Sequence, residues 1–278
     1  MVVTYRVMAD GIEPISTHED MNAASSALPQ GAYTTFRTYQ GKRVLRLGDH
    51  LRRLELSMRL MGCEATLEDA AVQAALAQAI QRAGHTESRL RLTFAPPELY
   101  ISIEPFHAYP AHYYEQGVRC VSVPARRENP QAKNTEFVGV AAQTYRQLPP
   151  GVHEGLMLGE DGSVLEGLSS NFFAILDEDD GQPVLHTEEA RVLHGVTRAL
   201  VLEVAASVLP IVRTAPRYCD LPHARECFIT SVSREIMPVV QVDEVVIGEG
   251  VPGPITHHLR RAFQELVARE AQPLWTED

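Results

Sequence analysis

Short segments in which apolar and polar residues alternate recur along this 278-residue chain, and a few helical patterns interrupt them. In the first half, VVTYRVM is typical of a strand, and AYTTFRTY with RVLRL predicts a hairpin around QGK. Two helices follow, one from Asp49 as N-cap to Gly62 and one that ends at Gly84. The strand-like runs RLRLTF, LYISIEPF and VRCVSVP come next. This mixture predicts an α+β fold in which helices cover a sheet.

The polar segment ARRENPQ, residues 125–131, separates two regions of regular pattern and contains Pro130. After it come a helix near TEFVGVAAQTYRQL, several β-like runs, a helix that begins at Gly195 and a last helix, THHLRRAFQELVARE. We therefore expect an N-terminal α+β domain over 1–124, a linker over 125–131 and a β-rich C-terminal domain over 132–278.

Composition excludes several classes of protein. With 45% hydrophobic and 22% charged residues and no run near the ~18 apolar residues of a membrane span, we expect no transmembrane segment. The net charge of −11 and the lack of a basic stretch argue against nucleic acid or a membrane surface as partner. The four cysteines are far apart, and the first residues do not resemble a signal peptide. We expect a cytoplasmic protein with reduced thiols.

Several common catalytic signals are missing. The chain has neither G-x-S-x-G nor H-E-x-x-H, and its histidines lack the spacing of a metal site, so we expect no metal. Residues 248–253, GEGVPG, match the dinucleotide pattern G-x-G-x-x-G. Only 25 residues follow Gly253, too few for the rest of a nucleotide-binding fold, which favours a turn before the last helix. A nicotinamide-dependent oxidoreductase remains an alternative. Such an enzyme would bind NAD and would keep its activity after Lys133→Ala.

Lysine is rare, because the 25 basic residues comprise 23 arginines and only Lys42 and Lys133. Any chemistry that needs a primary amine therefore has two candidates, since the guanidinium of arginine stays protonated. Lys42 lies in the predicted hairpin turn, where a solvent-exposed role is expected. Lys133 directly follows the linker, where a cleft between domains would form.

Three further motifs supply an acid and an anion site. DHLRRLELS places His50 and Arg53 one turn apart at the start of a helix, and SVLEGLSSNFF carries Glu166 into an apolar run. The helix after Gly195 would present its first backbone N–H groups to an anion. An amine, an acid and a phosphate site together are what pyridoxal 5′-phosphate (PLP) requires.

The ordered set of motifs resembles the class IV, fold type IV, PLP-dependent aminotransferases. This family includes branched-chain aminotransferases, D-amino-acid aminotransferases and aminodeoxychorismate lyases. The resemblance extends from about Gly31 to the last helix and rests on these segments: HLRRL (50–54), AK (132–133), EGLSSNFF (166–173), LHGVTR (193–198), RECF (225–228) and SREIMPV (233–239). It implies a two-domain α+β fold with a smaller N-terminal domain and a larger, β-rich PLP-binding domain.

The resemblance also implies roles for individual residues. Lys133 would form the Schiff base and shuttle the substrate proton, and Glu166 would pair with the pyridine nitrogen. Arg53 and the start of the helix after Gly195 would hold the phosphate. The full cofactor-binding set comprises Arg53, Lys133, Glu166, Ser170, Asn171, Leu193, Gly195, Val196, Thr197, Val232 and Ser233, and the substrate set comprises Tyr33, Arg91 and Arg234. The partners would be an amino donor, a 2-oxo acid and a second copy in a homodimer.

The chain departs from the family pattern at three places. Val232 stands where many members have a threonine on the phosphate, so Ser233 or a backbone N–H would supply that contact. Val138 stands where branched-chain enzymes carry tyrosine. The R-x-H pair of D-amino-acid enzymes is missing, and Arg89 or Arg91 could replace it. Two further alternatives stay open: a lyase of the aminodeoxychorismate type that releases pyruvate, and a binding protein without activity.

Overall fold

The structure is a computed structural model that describes residues 1–178 and 180–276. The first half holds six strands and four helices. In chain order they are β1 (Val2–Met8), β2 (Gly11–His18), α1 (Met21–Ser26), β3 (Ala32–Tyr39), β4 (Arg43–Val44), α2 (Leu47–Leu60), α3 (Asp69–Ala83), β5 (Ser88–Ala95), β6 (Glu98–Pro105) and α4 (His112–Glu115).

The second half is richer in strands. It comprises β7 (Val118–Val123), α5 (Glu136–Gln147), β8 (Val152–Leu158), β9 (Val164–Gly167), β10 (Asn171–Asp177), β11 (Pro183–His186), α6 (Val196–Ala205), β12 (Ile211–Val212), a 3₁₀ helix (Tyr218–His223), β13 (Glu226–Ser231), β14 (Glu235–Val242), β15 (Val245–Val246), α7 (Pro254–Glu270) and β16 (Gln272–Pro273).

The chain divides into two compact units, each assembled from more than one segment. Unit 1 combines Met1–His107, Ala132–Val140 and the chain from Val267, and unit 2 combines Ala108–Gln131 with Ala141–Leu266. This division differs from the boundary predicted at 125–131. The reason is strand pairing: β7 bonds to β8 and β14, so it belongs to the second sheet. Residue Asn134 forms a bridge with Ala32 of β3, which draws the segment around Lys133 into unit 1.

Unit 1 is built on a seven-stranded sheet in the order β16-β4-β3-β5-β6-β1-β2. Its long pairs are antiparallel, and β5 and β6 keep register over their full length. Apolar residues of the two long helices face inward at helical spacing: Leu51, Leu54 and Met58 of α2, and Val72, Leu76 and Ile80 of α3. Gly84 ends α3 with φ at 63°, as the sequence predicts.

Helix α2 begins earlier than predicted. The sequence indicates Asp49 as N-cap, but the helix starts at Leu47, after Arg46 with a left-handed φ of 49°. The Arg46 carbonyl accepts bonds from the Asp49 and His50 N–H groups, and its guanidinium pairs with Glu270, 2.6 Å away. This ion pair joins residues 224 positions apart, so it could not be predicted from local sequence patterns.

Unit 2 contains a nine-stranded sheet whose main path is β12-β11-β10-β13-β14-β7-β8-β9. Strand β9 also pairs with β10, which closes six of these strands into a ring. Fully buried side chains fill the core beside them: Leu156, Val164, Phe172, Ile229, Met237 and Val239 are among these residues. The closed pairing brings the end of β9 next to the start of β10.

The last helix confirms the turn predicted at GEGVPG. Residues 248–251 form turns and bends, residues 252 and 253 have no regular structure, and α7 begins at Pro254. Strand β16, which follows α7, pairs with β4 of the unit 1 sheet and does not extend a nucleotide-binding sheet. Within residues 1–178 and 180–276, we find no helix with the length and apolar character that a membrane span requires.

Candidate active site

Lys133 is held in unit 1 by its backbone. Its N–H donates to Ser57 Oγ of α2 at 3.0 Å, and its carbonyl accepts from the Tyr33 N–H of β3 at 2.8 Å. Two residues later, the Thr135 N–H donates to the Gly31 carbonyl at 2.9 Å. Because both backbone groups of Lys133 are bonded to regular elements, the origin of its side chain is fixed.

The Lys133 side chain lies beside an aromatic ring. Its Nζ is 4.7 Å from the ring centroid of Tyr33, and Cζ of Arg91 is 4.6 Å from the same centroid. Tyr33 is 7% exposed, and both cations lie within the range of a cation–π contact with its ring. The structure thus brings Lys133 together with Tyr33 and Arg91, both predicted as substrate residues.

Arg91 is enclosed inside unit 1. It is 5% exposed, and its guanidinium donates to the Met21 carbonyl at 3.3 Å, to Thr35 Oγ1 at 3.4 Å and to Ser25 Oγ. Burial lowers its pKa to about 10, which still leaves it protonated near pH 7. Arg91 and Lys133 are neighbours because both side chains contact the ring of Tyr33.

Helix α2 presents a polar stripe to β3 and to Lys133. The stripe consists of His50, Arg53 and Ser57, at positions i, i+3 and i+7. Arg53 Nη2 donates to Thr34 Oγ1 at 2.7 Å, and His50 Nδ1 lies 2.9 Å from the same oxygen. Ser57 Oγ donates to the Arg53 carbonyl at 2.8 Å. We call these three α2 residues with Thr34 and Lys133 the lysine cluster.

Glu166 is the centre of a second group of residues, in unit 2. It is 3% exposed, and its Oε1 accepts from Arg127 Nε at 3.2 Å. Its Oε2 accepts from Asn171 Nδ2 at 3.3 Å and from the Leu193 N–H at 3.2 Å. Asn171 Nδ2 also donates to the Leu193 carbonyl at 2.8 Å. We call these four residues the glutamate cluster.

The glutamate cluster unites three predicted residues with one that the sequence did not indicate. Asn171 faces Glu166 as its strand partner, and Leu193 reaches it from the segment before α6. The sequence places Arg127 in the linker, where its neighbouring arginine and Pro130 suggest an exposed connection. The acidic character of Glu166 within an apolar run was the one available signal, because a buried carboxylate needs a partner.

Helix α6 begins beside the glutamate cluster. Its N-cap is Gly195, and no side chain from the described part of the chain caps it. A Cβ at Gly195 would lie 2.4 Å from Asn171 Oδ1, so a larger residue there would force the Asn171 side chain to move. Val196 and Thr197 are the first helical residues, and their N–H groups lie in the turn that has no intrahelical acceptor. Such a helix start favours an anion.

Arg234 and Ser170 lie in another buried group of unit 2. Glu154, with no exposed surface, accepts from Ser170 Oγ at 2.9 Å and lies 3.4 Å from Arg234 Nη2. Arg234 also donates to Ser169 Oγ at 2.9 Å. Burial opposes its charge, but Tyr145 and Glu154 outweigh that effect and raise its pKa. The sequence did not indicate Glu154 or Tyr145, which are far from residue 234 in the chain.

The turn between β13 and β14 carries Val232 and Ser233. Both residues are half-buried, and Glu235 closes the turn with φ at 55° opposite Ser231. The Arg234 N–H donates to Ser231 Oγ at 3.3 Å, which ties the turn to the buried group around Glu154.

Comparisons with known proteins agree with these motifs. The family model described as amino-transferase class IV matches residues 31–242. The chain belongs to the class IV aminotransferases. The predicted family and its α+β fold are therefore confirmed.

Curated relatives are named as aminotransferases with different substrates. The branched-chain-amino-acid aminotransferase of Pseudomonas aeruginosa is 31% identical over 51% of this chain and 46% of its own length. The D-alanine aminotransferase of Staphylococcus aureus strain N315 is 25% identical over 92% of this chain and 95% of its own length. The chain spans about half the length of the curated relatives that match first.

Solved structures share the fold at low identity. The branched-chain aminotransferase of the archaeon Thermoproteus uzoniensis, solved with norvaline, has a TM-score of 0.76 and 22% identity, with 98% of this chain and 99% of that chain covered. A branched-chain aminotransferase from T.th., solved with pyridoxamine 5′-phosphate, has a TM-score of 0.80 and 19% identity, with 98% of each chain covered. These likenesses show that class IV members and the present chain share one architecture.

Proposed function

We propose that this class IV member is a PLP-dependent aminotransferase that moves an amino group between an amino acid or amine and a 2-oxo acid. The observation that carries the proposal is the environment of Lys133, which is one of only two lysines in the chain. Both of its backbone groups are bonded to α2 and β3, and its amine lies against the Tyr33 ring. The named substrates of its relatives support amino acids as donors.

The described residues fit PLP by the chemistry of their donors. Glu166 is a buried carboxylate that accepts a guanidinium bond, so it is suited to an ionised state that pairs with a protonated pyridine nitrogen. The start of α6, which no side chain of the described residues caps, offers N–H groups to a phosphate. We assign phosphate contacts to Arg53, Val196, Thr197 and Ser233, and we assign the ring face to Leu193.

The chain's own residues divide the work of the reaction. PLP, when bound, supplies an electron-accepting ring that stabilises negative charge at the substrate α-carbon. Lys133 would take the proton from that carbon and return it, which requires its amine to be neutral at that moment. Tyr33, Arg91 and Arg234 are the proposed substrate residues. Arg91 and Arg234 are both buried. Their proposed role is therefore indirect: they would position the neighbouring residues that contact the substrate.

We further propose a cytoplasmic homodimer. All four cysteines are free thiols, which fits a reducing compartment. A symmetric dimer is the commonest assembly of soluble enzymes, and the family resemblance favours it. Sedimentation at micromolar concentration tests this part independently of activity.

The test of function begins with the purified protein and added PLP. We expect a visible absorbance band, and borohydride reduction should fix the label on the peptide that contains Lys133. Lys133→Ala should lose the label, whereas Lys42→Ala should keep it. Label on Lys42, or no band, would overturn the assignment.

Activity is then tested with L- and D-amino acids and 2-oxoglutarate as acceptor. Amino transfer to the 2-oxo acid supports the aminotransferase. Release of pyruvate from aminodeoxychorismate without an acceptor would instead support the lyase.

A further inference from the structure

His50 is a buried histidine that no step of the proposed reaction uses. It is 2% exposed, and Thr34, its hydrogen-bond partner on β3, has no exposed surface. The ring of Phe36 lies 5.3 Å from the imidazole at an angle of 53°. The imidazole is therefore held by α2 on one side and by β3 on the other.

The direction of the hydrogen bonds follows from the groups involved. Arg53 can only donate, so Thr34 Oγ1 accepts from it at 2.7 Å. The single proton of the Thr34 hydroxyl then needs an acceptor, and among the described residues His50 Nδ1, at 2.9 Å, is in position to accept it. A buried hydroxyl proton without an acceptor is costly, which favours an unprotonated Nδ1.

The charges around His50 point the same way. Burial lowers its pKa well below the usual value, and the nearby cations Arg53 and Lys133 lower it further. Among residues 1–178 and 180–276, the groups that face it are Thr34 and Phe36 from β3, Arg53 from its own helix, and Lys133. All are either neutral or positive, so His50 stays neutral and acts as an acceptor.

We infer that His50 is a positioning residue that orients the Thr34 hydroxyl and thereby holds the Arg53 guanidinium ready for the phosphate of PLP. This inference rests on the proposed function, because it takes Arg53 as a phosphate ligand. Arg53 is half-buried, and its Nη2 donates to Thr34 Oγ1 at 2.7 Å, which anchors the guanidinium to β3. Ser57, on the same stripe, holds the Lys133 backbone, so α2 positions both the anion ligand and the amine.

The test compares the affinity of the apoprotein for PLP with its affinity for pyridoxal, which lacks the phosphate. His50→Leu keeps the bulk but removes the acceptor, and we expect the Kd for PLP to rise by about tenfold. The Kd for pyridoxal should change by less than about twofold. His50→Asn, which can place an oxygen near the Nδ1 position, should restore most of the affinity for PLP.

Thr34→Val removes the hydroxyl that joins His50 to Arg53 and changes little volume. It should produce the same selective loss, and the double variant His50→Leu/Thr34→Val should be no worse than Thr34→Val alone. If His50→Leu does not fold, His50→Met, which also lacks the acceptor, takes its place in these comparisons. His85→Leu is the matched control, because His85 Nδ1 bonds to Ser88 Oγ at 3.3 Å away from the lysine cluster.

The outcomes separate the inference from the proposed function. If the wild-type protein binds neither PLP nor pyridoxal, the proposed function is wrong. If the wild type prefers PLP and the His50 and Thr34 variants keep the same ratio of the two affinities, the positioning role is wrong. Equal losses for PLP and pyridoxal would mean that His50 serves only packing, which also overturns it.

Discussion

The Arg127 guanidinium and the Glu166 carboxylate form an ion pair that is almost entirely enclosed. Nε and Oε1 are 3.2 Å apart, and the two side chains are 6% and 4% exposed. The adjacent pair of Arg126 and Glu160 is 2.6 Å long but 68% and 80% exposed. Two consecutive arginines of one segment thus occupy opposite environments, which makes them a matched pair for mutation.

We expect Arg127→Met to destabilise the protein by about 3 kcal/mol, because the buried Glu166 carboxylate would lose its ion-pair partner. Arg126→Met should cost at most about 1 kcal/mol, since an exposed ion pair contributes little. Urea unfolding of both variants measures the difference. The double variant Arg127→Met/Glu166→Gln should recover part of the loss; equal effects of the two single arginine variants would contradict the enclosed pair.

Gly195→Ala should disturb the glutamate cluster. The added Cβ would lie 2.4 Å from Asn171 Oδ1, and overpacking of this kind costs about 1–3 kcal/mol. Gly139→Ala is the control, because the structure places no heavy atom within 4 Å of that Cβ and the residue lies inside α5. It should stabilise the protein by up to ~1 kcal/mol through helix propensity. Thermal and urea midpoints of the two variants should therefore move in opposite directions.

Ser57→Ala should weaken the support of Lys133. It removes the acceptor for the Lys133 N–H and the donor to the Arg53 carbonyl, at a cost of about 1–2 kcal/mol in stability. We expect kcat to fall by about tenfold with little change in the substrate KM, because the amine loses its alignment. Ser26→Ala removes a similar hydroxyl-to-carbonyl bond in α1, where it is exposed, and should leave kcat unchanged.

Acid should destabilise the protein partly through His153. Burial and the nearby Arg234 lower its pKa to about 4 from 6.5. Between these values the unfolded chain binds a proton that the folded chain does not, so stability falls as the pH drops from 6.5 to 4. The ring is partly exposed, and we expect a contribution of only about 1 kcal/mol at about pH 5.

Unfolding of His153→Gln in urea at about pH 7 and about pH 5 measures that contribution. The variant should lose less stability than the wild type on acidification. A part of the slope should persist, because burial also lowers the pKa of His50 and of His186. An identical slope in both proteins would show that His153 is protonated equally in the folded and unfolded chains.

Much of the local structure could be predicted from local patterns. The hairpin of β3 and β4, the helix that ends at Gly84 and the turn before α7 follow from periodicity and from glycine positions. The predicted start of α2 was wrong, because its first turn depends on Arg46 and its distant partner Glu270. Boundaries move when a long-range contact stabilises one more turn.

The family followed from the order of residues alone, and the same sequence limited the candidates for the amine. The motifs occur in a recognisable order, and with only two lysines the amine had to be Lys42 or Lys133. Three-dimensional packing established which residues surround these motifs: Arg127 beside Glu166, Glu154 beside Arg234, and Thr34 between His50 and Arg53. It also assigned β7 to the second sheet and Lys133 to the first unit. The physical reason is that strand pairing and burial join residues far apart in the chain, whereas periodicity and capping signals extend over only a few turns.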